Sequence, residues 1–378
     1  MNEKNLEPVS SIFEHPQFIL FWLSRVLSTG AFQIQSVAIG WQVYSLSGSA
    51  LDLGFVGLAQ FLPVITLTFI VGHVADRYDR RIIIVVCQIV GSITAALLAF
   101  GSVTGAINMP MIFIAASIIG TARAFEGPAM AALVSSLVPR PVLPQATAWS
   151  TSANQTAQIV GPAIGGLLFG LGASITYSAA CGTFICASLL AGLIQYTPSE
   201  RNPKPITLQS LFSGLAFIKA DPVILGTLSL DLFAVLLGGA TALLPIYARD
   251  ILLTGPWGLG FLRSAPAVGA LAMSIVLSRY PLRHQIGPKL FAAVIIFGLA
   301  TIVFSISNNL ALSLAALFVI GASNVVSVVI RFALVQLRTP DEMRGRVSAV
   351  NSAFVGTSNQ LGEFESGVLA ALFGAVPA

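Results

Sequence analysis

Apolar residues arrive in this chain in long blocks separated by short polar joints. This is neither the strict alternation of a half-buried strand nor the single apolar face of a helix on a soluble core. Blocks of roughly 20 mostly apolar residues fit a hydrocarbon core of ~30 Å when the chain rises 1.5 Å per residue. Lipid offers no partner to backbone N–H and C=O groups, so each block must close its hydrogen bonds internally as a helix. The pattern predicts eleven spans, at 17–44, 50–75, 82–105, 109–137, 145–170, 174–195, 223–248, 256–278, 288–307, 310–336 and 347–374. A membrane β-barrel would show short alternating segments instead. The expected fold class is an all-α, multi-pass membrane protein.

The longest polar joint, QYTPSERNPKPITLQSLFSGLAFIKADP, falls between the sixth and seventh spans. Its Pro-rich opening reads as a linker, and LQSLFSGLAFIK as a short amphipathic helix on the membrane surface. The expected organisation is an N-terminal six-helix half over 1–195, a linker with its helix over 196–222, and a C-terminal half over 223–378. Sliding the chain by 201 positions places Gly120 on Gly321, Pro139 on Pro340, Ala148 on Ala349, Gly161 on Gly362 and Gly166 on Gly367. A shifted match sets LGF of 53–55 over LGF of 259–261. Repetition of this kind points to a duplicated bundle, an architecture used by transporters. The second half reads as five helices, one short of the first.

Composition narrows the class. Of 378 residues 56% are hydrophobic and 9% charged, with a mean hydropathy of +0.88; a soluble domain carries about 25% charge. The net charge of +4 is not a nucleic-acid signature, because its distribution follows the bilayer. With the N-terminus inside, fourteen of nineteen Lys and Arg fall in cytoplasmic segments, Arg249 alone falls outside, and Arg25, Arg123, Arg263 and Arg331 fall within spans. That bias predicts a cytoplasmic N-terminus and an inner-membrane location. Cys87, Cys181 and Cys186 all sit in apolar runs, so no disulfide framework is expected. The N-terminal residues lack a basic start, apolar core and cleavage site in sequence, so the first span reads as an uncleaved insertion signal. With no phosphate-binding loop and no Cys/His cluster, neither ATP drive nor a metalloenzyme is expected, and no cofactor.

Against this greasy background, GHVADRYDRRIIIVV places five charges within six positions at the joint between spans two and three. Its Gly72, Asp76, Arg77, Arg80 and Arg81 resemble the signature loop of the major facilitator superfamily, with Asp79 where that loop usually has Gly. RAFEGPAMAA in span four resembles the family's Arg-x-x-x-Gly pattern through Arg123 and Gly127. GPAIGG in span five, with Gly161, Pro162, Gly165 and Gly166, resembles the core of its antiporter motif, though Ala148 and Ala157 stand where that motif extends with Gly. The resemblance covers the whole chain and lies nearest the enterobactin-exporter-like branch of efflux proteins. It implies a bundle of two six-helix halves, here apparently lacking the twelfth helix. It also implies a gating loop in which Asp76 caps the start of span eleven while the basic residues meet Asp341 or Glu342.

Eight ionisable residues fall inside spans: Arg25, Arg123, Glu126, Asp231, Arg263, Arg331, Glu363 and Glu365. A charge at mid-bilayer costs at least ~2.5–3.5 kcal/mol, so each should face protein or water. The resemblance implies a cavity lined by helices one, four, seven and ten, which carry Arg25, Arg123, Glu126, Asp231 and Arg331. Depth suggests that Asp231 meets Arg331, and that Arg263 forms a structural ion pair with Glu363 and Glu365. Burial disfavours a charged carboxylate and a nearby Arg restores it, a switch suited to proton coupling. Glu126 is the first choice for the titrating group and Asp231 the second. A static Arg123–Glu126 pair on one helix face is the plainer alternative. In GPAIGG, Pro162 bends helix five and the glycines let a neighbour approach.

The expected function is a secondary transporter exporting a small amphipathic molecule, drug-like or siderophore, by proton antiport and alternating access. Its partners are the cargo, protons and the bilayer; no enzyme activity is expected. A proton-linked importer and a non-transporting scaffold or sensor are the alternatives.

Overall fold

The computed structural model describes residues 12–196, 208–236, 238–280 and 286–378, while some side chains within helices, among them Gly72, Asp76, Asp231, Asp341 and Glu342, lie outside the described set. Every regular element among the described residues is helical. The N-terminal half contains α1 (Pro16–Ser47), α2 (Ala50–Arg77), α3 (Arg80–Thr104), α4 (Met109–Leu137), α5 (Leu143–Leu171) and α6 (Ala173–Gly192). After α7 (Leu208–Ala220), the second half contains α8 (Pro222–Leu236), α9 (Leu244–Ile246), α10 (Gly255–Arg279), α11 (Ile286–Ile306), α12 (Leu310–Arg338) and α13 (Asp341–Phe373). Seven of these helices are long and apolar enough to cross a membrane by length and composition.

The joints are set by local chemistry. Ser49, Asp79, Asn108 and Asn309 cap α2, α3, α4 and α12 by accepting backbone N–H groups of the first turn. Gly48 and Gly105 end α1 and α3 in the left-handed region, at φ of 63° and 71°. Asp79 shows how the departure from the family loop is accommodated. As the α3 cap it takes the Arg81 amide at 2.8 Å and the Tyr196 hydroxyl at 2.9 Å, so a capping carboxylate does the work of a permissive turn residue.

The seventh span corrects the sequence expectation of one helix over 223–248. Its chain leaves α-helix at Leu236, makes a 3-10 turn over Ala240–Leu243, one α turn in α9, and a π turn over Tyr247–Ile251. The cause lies in GGATALLP: a Cβ on Gly239 would strike the carbonyl of Gly362 on α13, and Pro245 has no N–H to continue a ladder. Close approach of α13 replaces the regular helix there. The linker helix is α7, and its Leu215, Phe217 and Ile218 pack with Ile224, Leu228, Val335, Met343, Val347 and Val350. Its apolar face is therefore seated on the ends of α8, α12 and α13.

The basic joints mark one end of the bundle, the basic end; the opposite, far end carries Gly48, Gly105, Gly172 and Asn309. Within each half the repeat has a structural counterpart. A Cβ on Gly120 in α4 would strike the Gln60 carbonyl of α2, and one on Gly321 in α12 would strike the Pro266 carbonyl of α10. The register that pairs the two LGF stretches also sets Gln60 over Pro266. Between the halves, α5 packs on α10 and α13 on α2. At the first crossing a Cβ on Gly166 would stand 2.8 Å from Gly260 Cα. At the second, a Cβ on Gly367 would stand 2.9 Å from Gly54 Cα. The two crossings are equivalent under the same registers, and both lie toward the far end.

Candidate functional site: the cavity between the halves

The halves part below these crossings. A chamber of about 390 Å³ is lined by α1, α2, α5, α10, α13 and the turn at 241–242, and includes Ser36, Gln33, Gln60, Gln158, Arg263, Gln360 and Glu363. It shares Phe32, Gln60 and Gln360 with a second chamber of about 300 Å³ that also contains Gly120, Arg123, Gly356 and Asn359. The cavity therefore runs along the seam from near the glycine crossings to the middle of α4. Its wall is unusual for a membrane interior. Five carboxamides from α1, α2, α5 and α13 join three charged groups, Arg123, Arg263 and Glu363. An exposed carboxamide carries two donors and an acceptor, so this surface can bind a cargo through several hydrogen bonds.

Four hydrogen bonds between the halves lie above or beside this cavity. Tyr44 donates its hydroxyl to Asp250, and Arg249 donates to the Tyr44 carbonyl at 2.9 Å. Arg263 Nη1 donates to Ser36 Oγ at 2.8 Å, and Ser264 Oγ donates to the Ile159 carbonyl at 2.6 Å. These bonds tie the two halves together at the far end.

The charged residues separate into three groups. Arg123 and Glu126 form an ion pair at 3.6 Å one turn apart on α4, and Arg25 on α1 lies near enough for its charge to act on both. The two partners face different surroundings. Arg123 lies over the Phe32 ring, 4.4 Å from its centroid, and reaches the second chamber. Glu126, 5% exposed, turns into the N-terminal half, where Ser28 Oγ and Gln88 Nε2 donate to its Oε1 at 2.5 and 3.1 Å. Gly127, the partner of Arg123 in the family pattern, has open space beside it.

In the second group, Arg263 and Glu363 line the same chamber and feel each other's charge, whereas Glu365, two residues on, projects from another side of α13. The third group is Arg331, buried in α12; the side chain of Asp231 lies outside the described residues, as do those of Gly72 and Asp76. In the loop itself, Arg80 Nη1 donates to the Ala132 carbonyl at 3.1 Å and Arg81 Nη1 to the Ile194 carbonyl at 2.9 Å. These bonds tie the loop to the last turns of α4 and to the chain just after α6, inside the N-terminal half. Arg77 is exposed. In the antiporter-like stretch, Gly161 and Gly165 lie against α1 at Gln33 and Ile34, Gly166 lies against α10, and the Pro162 carbonyl faces Gly260.

The carboxamides Gln33, Gln60, Gln158, Asn359 and Gln360 are the lining groups that charge-based reading misses. Their signal in the sequence is a neutral amide within an apolar run, which becomes informative once the helices are known to converge.

A family model described as transmembrane secretion effector matches residues 9–378. This chain belongs to that family, within the major facilitator superfamily. It is 26% identical to the enterobactin exporter of Escherichia coli O1:K1 over 98% of this chain and 90% of that protein. The enterobactin exporter of Shigella flexneri is 27% identical with the same coverage. Among solved structures, a bacterial homologue of the human lysosomal transporter Spinster, inward-facing and unoccupied, superposes with a TM-score of 0.78 at 14% identity, covering 96% of this chain and 84% of that one. A bacterial homologue of the iron transporter ferroportin, inward-facing, gives 0.70 at 18% identity, covering 97% and 96%. The fold of this family member is that of a membrane transporter.

Proposed function

We propose that this protein exports a small amphipathic molecule across the inner membrane by alternating access, in exchange for protons, with its basic end in the cytoplasm. The observation that carries the reading is the amide- and charge-lined cavity between two equivalent halves, closed at the far end by a matched pair of glycine crossings. Two rigid halves meeting at close helix crossings can rock without unfolding either half. In this reading the cavity opens to the basic end to load cargo and to the far end to release it. The whole-chain similarity to enterobactin exporters supports export over import, and places siderophore-like or drug-like molecules first among cargoes.

Proton exchange needs a carboxylate whose surroundings change as the halves rock. Glu126 is our candidate, because its ion-pair partner Arg123 sits at the cavity surface, its hydrogen-bond donors Ser28 and Gln88 are neutral, and Arg25 acts on it from nearby through its charge. Rocking that draws Arg123 away weakens the positive field at the buried Glu126, a change that favours its taking a proton. Asp231 is the second candidate. The loop of Gly72, Asp76, Arg77, Arg80 and Arg81 then acts on the gate at the basic end. The direct test is efflux of a panel of dyes and siderophores from cells expressing the protein, with and without a protonophore. Accumulation that falls on expression and recovers with the protonophore is expected; no change on expression overturns the export reading.

A further inference from the structure

Arg263 and Glu363 both belong to the C-terminal half, yet each reaches across to the other half. Arg263 donates to Ser36 on α1, and its Nη2 lies over Gly40, where an added Cβ would stand 3.3 Å away. Glu363 Oε2 lies against Gly57 on α2, 3.1 Å from the place of a Cβ. Both lie about one turn below the glycine crossings, Arg263 below Gly260 and Glu363 below Gly367. A guanidinium has five N–H donors, and the only bond made by this one among the described residues is to a neutral hydroxyl. Beside it, Gln360 Oε1 is buried with no hydrogen-bond partner. The roof of the cavity therefore holds an underused cation, a carboxylate that feels its charge without bonding to it, and an unsatisfied amide.

We infer that Arg263 is the cargo's receptor: it takes an acidic oxygen, a carboxylate, phenolate or sulfonate on an amphipathic molecule, in place of Ser36. Glu363 competes with that oxygen for the guanidinium and so sets how strong an acid is needed. An acid forks two bonds between opposite charges to Arg where Ser36 accepts a single bond on a neutral oxygen, so the exchange is favourable. It also removes one of the few bonds holding the far end shut, which couples loading to opening. Of the two lining arginines, Arg123 is paired with Glu126, whereas Arg263 makes no ion pair among the described residues, which suits it to an anion. The inference rests on the export reading of this cavity, and names the class of cargo for it.

The test is binding to the purified full-length protein, by microscale thermophoresis, of 1-naphthoate and biphenyl-4-carboxylate, each compared with its neutral primary amide. Wild type is expected to favour each acid by about tenfold or more, the scale of a charge-assisted bond. Arg263→Gln is expected to bring that ratio close to one. Glu363→Gln is expected to tighten acid binding several-fold, an effect in the opposite direction that no loss of folding mimics. Equal binding of acid and amide by wild type, or an acid preference that survives Arg263→Gln, overturns the inference and leaves the efflux test standing on its own.

Discussion

At the scale of single residues, Glu126 and Arg123 show that neighbours on one helix can serve two compartments. They are joined by an ion pair, but one faces the cavity and the other the interior of the N-terminal half. Glu126→Gln keeps the shape and the bonding capacity toward Ser28 while removing the charge and the titration. We expect it to abolish proton-driven efflux and to leave cargo binding intact; unchanged efflux in cells would eliminate Glu126 as the proton carrier. The glycines are a second case. A Cβ on Gly260 would stand 2.6 Å from the Pro162 carbonyl, a contact with backbone that no rotamer relieves. Gly260→Val should therefore cost roughly 1–3 kcal/mol of the sealed state, the range for overpacking. Maleimide labelling of a cysteine placed near the far end should rise accordingly, and labelling at the wild-type level would show the crossing to be loose.

At the scale of elements, the broken seventh span and α7 both depart from their simplest reading because of α13. The first gives up regular helix to let α13 approach at Gly239, and the second lays its apolar face on α13 and its neighbours. Asp221, between α7 and α8, fastens this arrangement. It accepts the amides of Val223 and Ile224 at 2.9 and 3.2 Å and pairs with Arg338 at 3.2 Å. Slight desolvation pushes its carboxyl up, but the Ile224 amide, Arg338 and the Val223 amide outweigh that and hold it below its ordinary value of 3.8. A carboxyl depressed by folding contributes above its unfolded value, and the contribution is lost as pH falls through the folded one. A nitroxide at position 219 should thus stay immobile from neutral pH down to about 4 and loosen below it. In Asp221→Asn the loosening should already be present at neutral pH; identical spectra in both proteins would deny Asp221 this role.

At the scale of the molecule, two equivalent helix crossings and four interhalf bonds gather at the far end. The cavity lies beneath them. If transport requires this end to open, fixing it shut must stop transport without emptying the cavity. Tyr44 and Asp250 are in contact across the seam, so cysteines at 44 and 250 joined by a short cleavable cross-linker should block efflux. Cargo should still bind, and reductant should restore export. Export by the fully cross-linked protein would show that the far end is not the exit.

The chain's long apolar blocks, its basic joints and its repeat are properties of local composition. A bilayer imposes length, hydrophobicity and charge placement on each span separately, so they are legible without knowing which helix meets which. The pairing of Gly120 with Gly321 under one register, and of the two LGF stretches under another, likewise survives in sequence because each half repeats the same contacts. The break at Gly238–Gly239 was hidden, since it answers to the carbonyl of Gly362 more than a hundred residues away. So was the division of labour among the buried ions: depth along a helix places Arg263 near Glu363, but only the azimuth of α13 separates Glu363 from Glu365. The cavity's carboxamides were hidden for the same reason. A neutral amide in an apolar run means little alone, and becomes a binding surface only when four helices bring five of them to one seam.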